Sequence, residues 1–177
     1  PAENIKQQLL DAAENMLQET GGRRLVMSEL ATRVGLSQSP AHNFFATKDD
    51  LVRALAARWF ENIEAELARV AKQGGASADK FKRYVLTTLR LKRGKHDANP
   101  ELFRAYLALA SDHMDLVQGH AKRLSALLEH IIAELVPAES VSAMLQLTED
   151  ATLLFRMPHT IAMFRPMATD ERAAAVV

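Results

Sequence analysis

A short polar stretch after residue 36 carries the side chains of this sequence that are best suited to recognition chemistry. Hydroxyl, amide and imidazole groups follow one another there, too many for one short element to bury. Such groups exchange hydrogen bonds with base edges and phosphates, so a helix that carries them can contact nucleic acid. The candidates are Gln38, Ser39, His42 and Asn43.

The sequence lacks the motifs on which most catalysis depends. It contains no cysteine, which removes thiolate nucleophiles, zinc–thiolate sites and disulfides. It also has no phosphate-binding loop, no dinucleotide fingerprint, no Gly-x-Ser-x-Gly elbow and no His-Glu-x-x-His pair. We therefore expect neither an enzyme nor a cofactor.

Two groups of side chains resemble metal ligands by type. Asp49 and Asp50 fall in the first turn of a predicted helix, where carboxylates usually interact with the helix dipole. His113 and His120 are separated by roughly 10 Å along a helix, too far for both rings to bind one ion easily. We interpret these histidines as polar or surface residues, although a ligand pocket could include one of them. No metal site is predicted.

Charge gives no support to a nucleic-acid partner. The 22 Lys and Arg residues balance the 22 Asp and Glu residues over the whole chain. Up to Phe60, seven basic residues stand against seven acidic ones, and seven minus seven is zero. Because most DNA-binding modules are more basic, a DNA-binding interpretation must rest on pattern and placement.

The composition, 48% hydrophobic and 25% charged, is typical of a globular protein with a core. No apolar run approaches the length of a membrane span, and no signal-peptide pattern opens the sequence. We therefore expect a cytoplasmic protein without a membrane partner.

Apolar residues recur at three- and four-residue spacing, and no useful period-two pattern occurs, which predicts an all-α fold. Thr47 is predicted to cap a long connecting helix that runs to about Lys72. Before it, helices are predicted over 5–18 and 28–34, and from Ser37 to about Ala46. After a flexible linker at 74–79, helices are predicted over 79–93, 100–110, 114–135 and 140–157, with a last segment from about Thr169 and with Gly94, Pro158 and Pro166 as breaks.

The second and third predicted helices form a helix-turn-helix. Gly35 is expected to end the second helix in a left-handed conformation, and Ser37 to cap the third. Pro40 then falls inside the first turn, where it breaks no intrahelical hydrogen bond. In this arrangement the third helix enters the major groove of DNA. Adjacent helical residues point about 100° apart, so we expect Phe45 to be buried and Phe44 partly exposed.

Over a dozen positions in the first fifty or so residues follow one pattern without a gap. They are Leu10, Ala12, Ala13, Leu17, Glu19, Gly21, Leu30-Ala31, Val34-Gly35-Leu36-Ser37, Phe44-Phe45, Lys48 and Leu51. In this pattern the sequence resembles the TetR family of repressors. The resemblance implies that residues 37–44 form the recognition helix and that Lys48 contacts a phosphate. It also implies a dimer that a ligand releases from DNA.

Several positions depart from the family pattern. Val26 and Met27 stand where the family often has hydroxyl residues, and Ser28 could substitute for them. His42 replaces a tyrosine that reaches the DNA backbone, so its protonation would favour binding at acidic pH. Ser39-Pro40-Ala41 replaces a frequent Gly-Thr-Leu. The predicted DNA-binding residues are Ser28, Ser37, Gln38, Ser39, Pro40, His42, Asn43, Phe44 and Lys48.

For the remainder of the chain the resemblance implies architecture only. Residues 1–47 are predicted to form the helix-turn-helix domain, and residues 48–177 the connecting helix with a helical ligand-binding and dimerisation domain. The helix over 140–157 and the segment after Thr169 would pair with their copies in a dimer. Core packing explains most apolar residues there, but several are predicted to line an apolar ligand cavity: Tyr84, Phe103, Tyr106, Leu107, Leu127, His130, Met144, Leu147 and Phe155.

The leading hypothesis is a ligand-responsive repressor. It would bind a palindromic double-stranded DNA operator as a homodimer, with recognition helices about 34 to 36 Å apart, and a small, largely apolar effector would release it. The alternative is a helical ligand-binding module that has lost operator recognition, suggested by the neutral charge and by Val26, Met27 and His42. Ligand binding without DNA binding would distinguish this alternative.

Overall fold

The computed structural model describes residues 2–22, 24–36 and 42–156, and this part of the chain contains seven complete α-helices and no strand. The all-α prediction is confirmed. The helices are α1 Ala2–Thr20, α2 Met27–Arg33, α3 Lys48–Lys72, α4 Ser77–Ala98, α5 Pro100–Asp112, α6 Met114–Ala133 and α7 Val141–Arg156, with a 3-10 turn at Ala138–Ser140.

The chain divides into two compact units. The first consists of Pro1–Phe60 and Asn99–Val117, and the second of Glu61–Ala98 and Gln118–Val177. This division differs from the boundary predicted after residue 47, because α5 belongs to the same unit as α1 and α2. The apolar face of α5 completes the core of the first unit.

The core of the first unit surrounds α1. Apolar residues recur every three or four positions along this helix and are almost fully buried, as the 3.6-residue period requires. α5 adds Ala105 and Tyr106 to the same core, and Trp59 of α3 packs against it. The other buried members are Leu9, Leu10, Ala12, Ala13, Met16, Leu17, Leu25, Leu30, Ala31, Phe45, Leu51, Val52 and Leu55.

Two consecutive glycines end α1. The N–H of Gly22 donates to the carbonyl of Leu17 at 2.8 Å, and the N–H of Gly21 donates to Gln18 at 3.3 Å, the pattern of a Schellman cap. Both glycines have positive φ. A Cβ atom at Gly22 would lie 2.9 Å from the Cα atom of Ala105, whereas one at Gly21 would meet nothing within 4 Å. At Gly22, therefore, the backbone of α5 packs directly against the C-terminal end of α1.

The second unit has a separate core made by α4, α6 and the C-terminal part of α3. The phenol of Tyr84 is buried in it and donates to the carbonyl of Leu124 at 2.7 Å. At one end the buried Lys80 ammonium binds Glu134 at 2.8 Å, and Ser77 donates to the same carboxylate. The apolar members are Ile63, Leu67, Val70, Ala71, Phe81, Tyr84, Val85, Leu89, Leu124, Leu128, Ile131 and Ile132.

Gly94 is not a helix break, which corrects the prediction. α4 continues through it to Ala98, five residues beyond the predicted end. Basic residues in the last turn, Lys95 and His96, interact favourably with the C-terminal helix dipole. The helix ends before Asn99 because the residue preceding Pro100 is restricted to extended conformations.

The bounds of the helical segments before α3 also differ from the prediction. α2 begins at Met27, one residue early, with Val26 at the N-cap and no side-chain cap hydrogen bond there. The described part of the third predicted helix ends at His42, and a turn at 43–44 replaces the expected continuation to Ala46. After this turn, Phe45 is buried in the core of the first unit. A non-helical segment therefore separates His42 from α3.

We predict that Gly22→Ala destabilises the first unit more than Gly21→Ala. Both substitutions place a side chain at positive φ, which costs about 1–2 kcal/mol. Only Gly22→Ala also forces α5 away from α1, for a total of about 3 kcal/mol or more. Urea unfolding followed by the fluorescence of Trp59, the single tryptophan of the chain, measures the difference. Equal losses in the two variants would contradict the close approach of α5.

Candidate nucleic-acid interface

The turn after α2 has the geometry that a helix-turn-helix requires. Gly35 adopts φ +71°, as predicted. Its N–H donates to the carbonyl of Thr32 at 3.1 Å, while the N–H of Leu36 donates to Ala31 at 2.8 Å. These two bonds form a Schellman motif, which reverses the chain immediately after the helix.

Side chains on both sides of this turn anchor it to the core. Leu30 and Ala31 of α2 are at most 1% exposed, and Leu36 after the turn packs against the same cluster. Phe45 is buried and Phe44 is half-buried, as predicted. The chain between α2 and α3 is therefore held at both ends by apolar contacts.

A reciprocal capping box starts α3. The hydroxyl of Thr47 accepts the N–H of Asp50 at 3.0 Å, and the carboxylate of Asp50 accepts the N–H of Thr47 at 2.9 Å. Two otherwise unsatisfied N–H groups are thereby paired, which defines the first turn of the helix. Lys48, the first residue of α3, is exposed. The cap therefore fixes the position from which the Lys48 side chain projects into solvent.

The predicted DNA-binding residues fall into three groups. His42, Asn43 and Lys48 are exposed, and Ser28 is half-buried in the first turn of α2. Phe44 packs partly against the core of the first unit. The remaining four, Ser37, Gln38, Ser39 and Pro40, lie outside the described residues.

Ion pairs engage the arginines of this unit with its own carboxylates. Arg33 of α2 forms two hydrogen bonds with Glu19 of α1, at 2.6 and 3.0 Å. These bonds raise the pKa of Arg33 and lower the pKa of Glu19. Arg58 of α3 likewise binds Asp11 at 2.6 Å. These pairs tie α2 and α3 to α1.

α5 is joined to the same unit by an aromatic and polar contact. The rings of Trp59 and Tyr106 stack with centroids 4.1 Å apart. The phenol of Tyr106 donates to Glu14 at 2.6 Å, and Arg58 binds the other oxygen of that carboxylate at 2.7 Å. Burial and the adjacent Glu14 raise the pKa of Tyr106, so the phenol keeps its proton and remains a donor.

A second polar cluster, which sequence reasoning missed, lies where α3 begins. The imidazole Nε2 of His113 is 2.7 Å from Asp49, and Arg53 binds both Asp49 at 2.7 Å and Asp115 at 2.6 Å. We name these four side chains the α3 N-terminal cluster. His113 and Asp49 are 64 positions apart, so no local pattern pairs them.

The residues predicted to line a ligand cavity do not come together in one unit. Phe103 and Tyr106 are buried in the first unit, and Leu107 of the same helix is 43% exposed. The remaining described members belong to the second unit: Tyr84 is buried, Leu127 and Met144 pack partly against its core, and His130 and Leu147 are exposed. The side chain of Phe155 lies outside the described part.

A shallow depression on α6 is lined by Gln118, Ala121, Lys122, Ser125, Ala126 and Glu129, which the prediction did not include. Within the described ranges, no three His, Asp or Glu side chains converge to form a metal site. No helix in that same part of the chain is both long and apolar enough to cross a membrane.

Two family profiles match the chain, one in its N-terminal part and one in its C-terminal part. The family profile of bacterial regulatory proteins of the tetR family matches residues 9–55. A profile for tetracyclin repressor-like C-terminal domains matches residues 76–177. Among curated proteins, none matches the sequence.

Solved structures show the same fold. A TetR-like transcriptional regulator from Rhodococcus sp. RHA1 aligns with a TM-score of 0.66 and 18% identity, over 96% of this chain and 91% of that chain. A candidate TetR-family regulator from Mesorhizobium loti aligns with a TM-score of 0.58 and 16% identity, over 99% of this chain and 94% of that chain. At these identities the likeness concerns the fold alone. With more than half of its length matched by the C-terminal profile and the N-terminal profile on its helix-turn-helix, the chain belongs to the TetR family of DNA-binding transcriptional regulators.

Proposed function

We propose that this regulator is a homodimeric repressor that binds a palindromic DNA operator and releases it when a small, largely apolar effector binds among its C-terminal helices. Repression, dimerisation and effector release are the parts of this proposal that go beyond membership of the family. Effector release and dimerisation rest on different features of the described residues, whereas repression is carried over from the family resemblance.

The observation that carries the proposal is the position of α5. This helix lies in the region matched by the C-terminal family profile, yet Ala105 and Tyr106 are buried in the core of the DNA-binding unit. An effector that shifts α5 must disturb the contacts of Tyr106 with Trp59 and Glu14. Because packed cores are not continuously deformable, such a shift is transmitted to α1 and α3 as a change of arrangement.

The DNA-binding part of the proposal is supported by the helix-turn-helix turn and by the exposed residues that follow it. His42 and Asn43 can reach base edges or phosphates, and Lys48 offers an ammonium beside a rigid cap. Since the unit is nearly neutral, we expect specific hydrogen bonds to contribute a larger share of affinity than in strongly basic modules.

The dimer is supported by the outward face of α7. Ser142, Ala143, Gln146, Leu147 and Asp150 are all exposed and recur at helical spacing. Leu147 is 65% exposed, the largest exposure among the large hydrophobic residues of the described chain. An exposed leucine one turn after the small side chains of Ser142 and Ala143 suits packing against a second copy related by a two-fold axis. The second predicted interface segment, after Thr169, lies outside the described residues.

The effector is proposed to be largely apolar because apolar side chains pack at the margin of the core of the second unit. Leu127 and Met144 pack at the margin of its core, and methionine adapts readily to irregular ligands. Tyr84 keeps its hydroxyl bonded to the carbonyl of Leu124. An effector would therefore meet mainly carbon surface there.

Selection of duplexes from random DNA, followed by fluorescence anisotropy, tests the function. We expect an enriched palindrome that binds at least about a thousandfold more tightly than scrambled DNA, which is the lower end of the range of specific regulators. Apolar compounds that raise the melting temperature of the protein should then release the enriched duplex. Thermal stabilisation without any sequence preference would favour the alternative of a ligand-binding module that has lost operator recognition.

We predict that Lys48→Ala weakens binding to specific and scrambled duplexes alike. Loss of one phosphate contact per subunit should reduce the slope of log affinity against log salt by about two for a dimer. Lys72→Ala removes an equally exposed ammonium from the other end of α3 and serves as the control. If both variants keep the wild-type slope, Lys48 does not contact phosphate.

We predict that Leu147→Glu dissociates the dimer. Burial of a leucine contributes about 1.5–3 kcal/mol, and each substitution acts twice in a two-fold interface, so the dissociation constant should rise by about a hundredfold or more. Leu107→Glu, at an exposed leucine of the first unit, provides the matched control. Sedimentation velocity at a series of concentrations measures the effect. An unchanged dimer in the Leu147→Glu variant would place the interface elsewhere.

A further inference from the structure

His113 is the single residue between two helices and lies beside the start of a third. It follows α5, which ends at Asp112, and precedes α6, which begins at Met114. Its carbonyl accepts the N–H of Leu116 at 3.0 Å in the first turn of α6. Its ring reaches Asp49 in the first turn of α3. All of these residues belong to the first unit.

Both nitrogens of the His113 ring face hydrogen-bond acceptors. Nδ1 lies 3.0 Å from the carbonyl oxygen of Leu109, and Nε2 lies 2.7 Å from the carboxylate of Asp49. A neutral imidazole carries one N–H and one lone pair, so it can satisfy only one of these acceptors. The imidazolium donates to both. The observed geometry is therefore that of the protonated ring.

Some of the charges around the His113 ring favour its protonated form and others disfavour it. Asp49 of α3 attracts the imidazolium, and the C-terminal end of α5 favours a positive charge. Arg53 of α3 repels it, but this guanidinium is itself held by Asp49 and by Asp115 of α6. The hydrogen bond that the ring donates to Asp49, followed by the one that it donates to the carbonyl of Leu109, raises the pKa of His113. The bonds from Arg53 and His113 lower the pKa of Asp49.

We propose that His113 is a protonation-controlled latch, which holds the first turn of α3 against the junction of α5 and α6 while its ring is protonated and loosens that hold when the proton is lost. Asp49 lies two residues after Thr47, which opens the capping box, and close behind the predicted recognition helix. The latch thereby links the placement of DNA-contacting residues to pH. This consequence for DNA rests on the proposed function, whereas the latch itself does not.

The direction of the pH effect follows from the raised pKa. A group whose pKa is higher in the folded protein contributes stability that is fully present below its unfolded pKa. That contribution is lost as the pH rises through the folded pKa. Above it, the ring must give up either the Leu109 carbonyl or the Asp49 carboxylate. In either case the charge-assisted hydrogen bond to Asp49 is weakened or lost. Arg53 continues to bridge Asp49 and Asp115, so the first turn of α3 loosens without detaching from α6.

The direct test uses the free, full chain. Nuclear magnetic resonance of the histidine rings should show that His113 titrates above the ordinary value of about 6.5. The hydrogen-exchange protection factor of the Leu51 amide, which donates to Thr47, should fall as the ring loses its proton. In His113→Gln the protection should be independent of pH and match the alkaline value of the wild type. His96→Gln, which removes a histidine of the second unit, should keep the wild-type pH dependence.

Two results would overturn the latch: a His113 ring that titrates at or below the ordinary value, or a pH dependence of Leu51 protection that survives in His113→Gln. If His113→Gln does not fold, Asp49→Asn provides the second variant. It should return the His113 pKa toward its ordinary value, and an unchanged ring titration in Asp49→Asn would equally overturn the proposal.

DNA affinity gives a separate readout with the palindromic duplex obtained by selection. Between about pH 6 and about pH 8.5, on either side of the ordinary histidine pKa, affinity should fall by about three- to tenfold in the wild type and in His96→Gln. In the His42→Gln background, which removes the other ring expected to favour binding at acidic pH, the fall should persist while His113 is present and be absent in His113→Gln. Failure to select any duplex would reject the proposed operator binding, while ring titration and amide exchange would still decide the latch.

Discussion

The burial of α5 in the core around α1 is the constraint on which the rest of the first unit depends. The approach is so close that a Cβ atom at Gly22 would lie 2.9 Å from the Cα atom of Ala105. Tyr106 adds a stacked contact with Trp59 and a hydrogen bond to Glu14. A helix from the C-terminal family region is thus part of the structure that presents the helix-turn-helix. Under the proposed function, an effector that moves α5 needs no long pathway to the helix-turn-helix, because α5 and α1 share one core.

The polar groups of this unit reinforce the same arrangement. Schellman motifs end α1 and α2, a capping box begins α3, and arginine–carboxylate pairs connect α2 and α3 to α1. The ion pairs are partly exposed, so each contributes little stability and mainly restricts geometry. The outcome is a module that is nearly neutral overall but offers defined polar side chains, His42, Asn43 and Lys48, at its surface.

Features set by local sequence were predictable, and features set by distant partners were not. Gly35, Thr47 and the burial of Phe45 follow from caps and from the helical period. The predicted helix break at Gly94 was wrong because a single glycine only weakens a helix. Pro100 determines where α4 ends. Phe103 and Tyr106 were correctly placed on an apolar face, but the period does not reveal which core that face joins. The Tyr106–Glu14 and His113–Asp49 contacts span 92 and 64 positions, and a single sequence contains no signal for them.

The claim that this chain reads DNA as a symmetric dimer is tested most directly by hydroxyl-radical footprinting on the selected duplex. The account predicts two protected half-sites related by a two-fold axis, with centres about one helical turn, or a whole multiple of it, apart. Addition of an effector that stabilises the protein should remove both footprints together. Protection of one half-site alone, or uniform protection without sequence preference, would contradict the account.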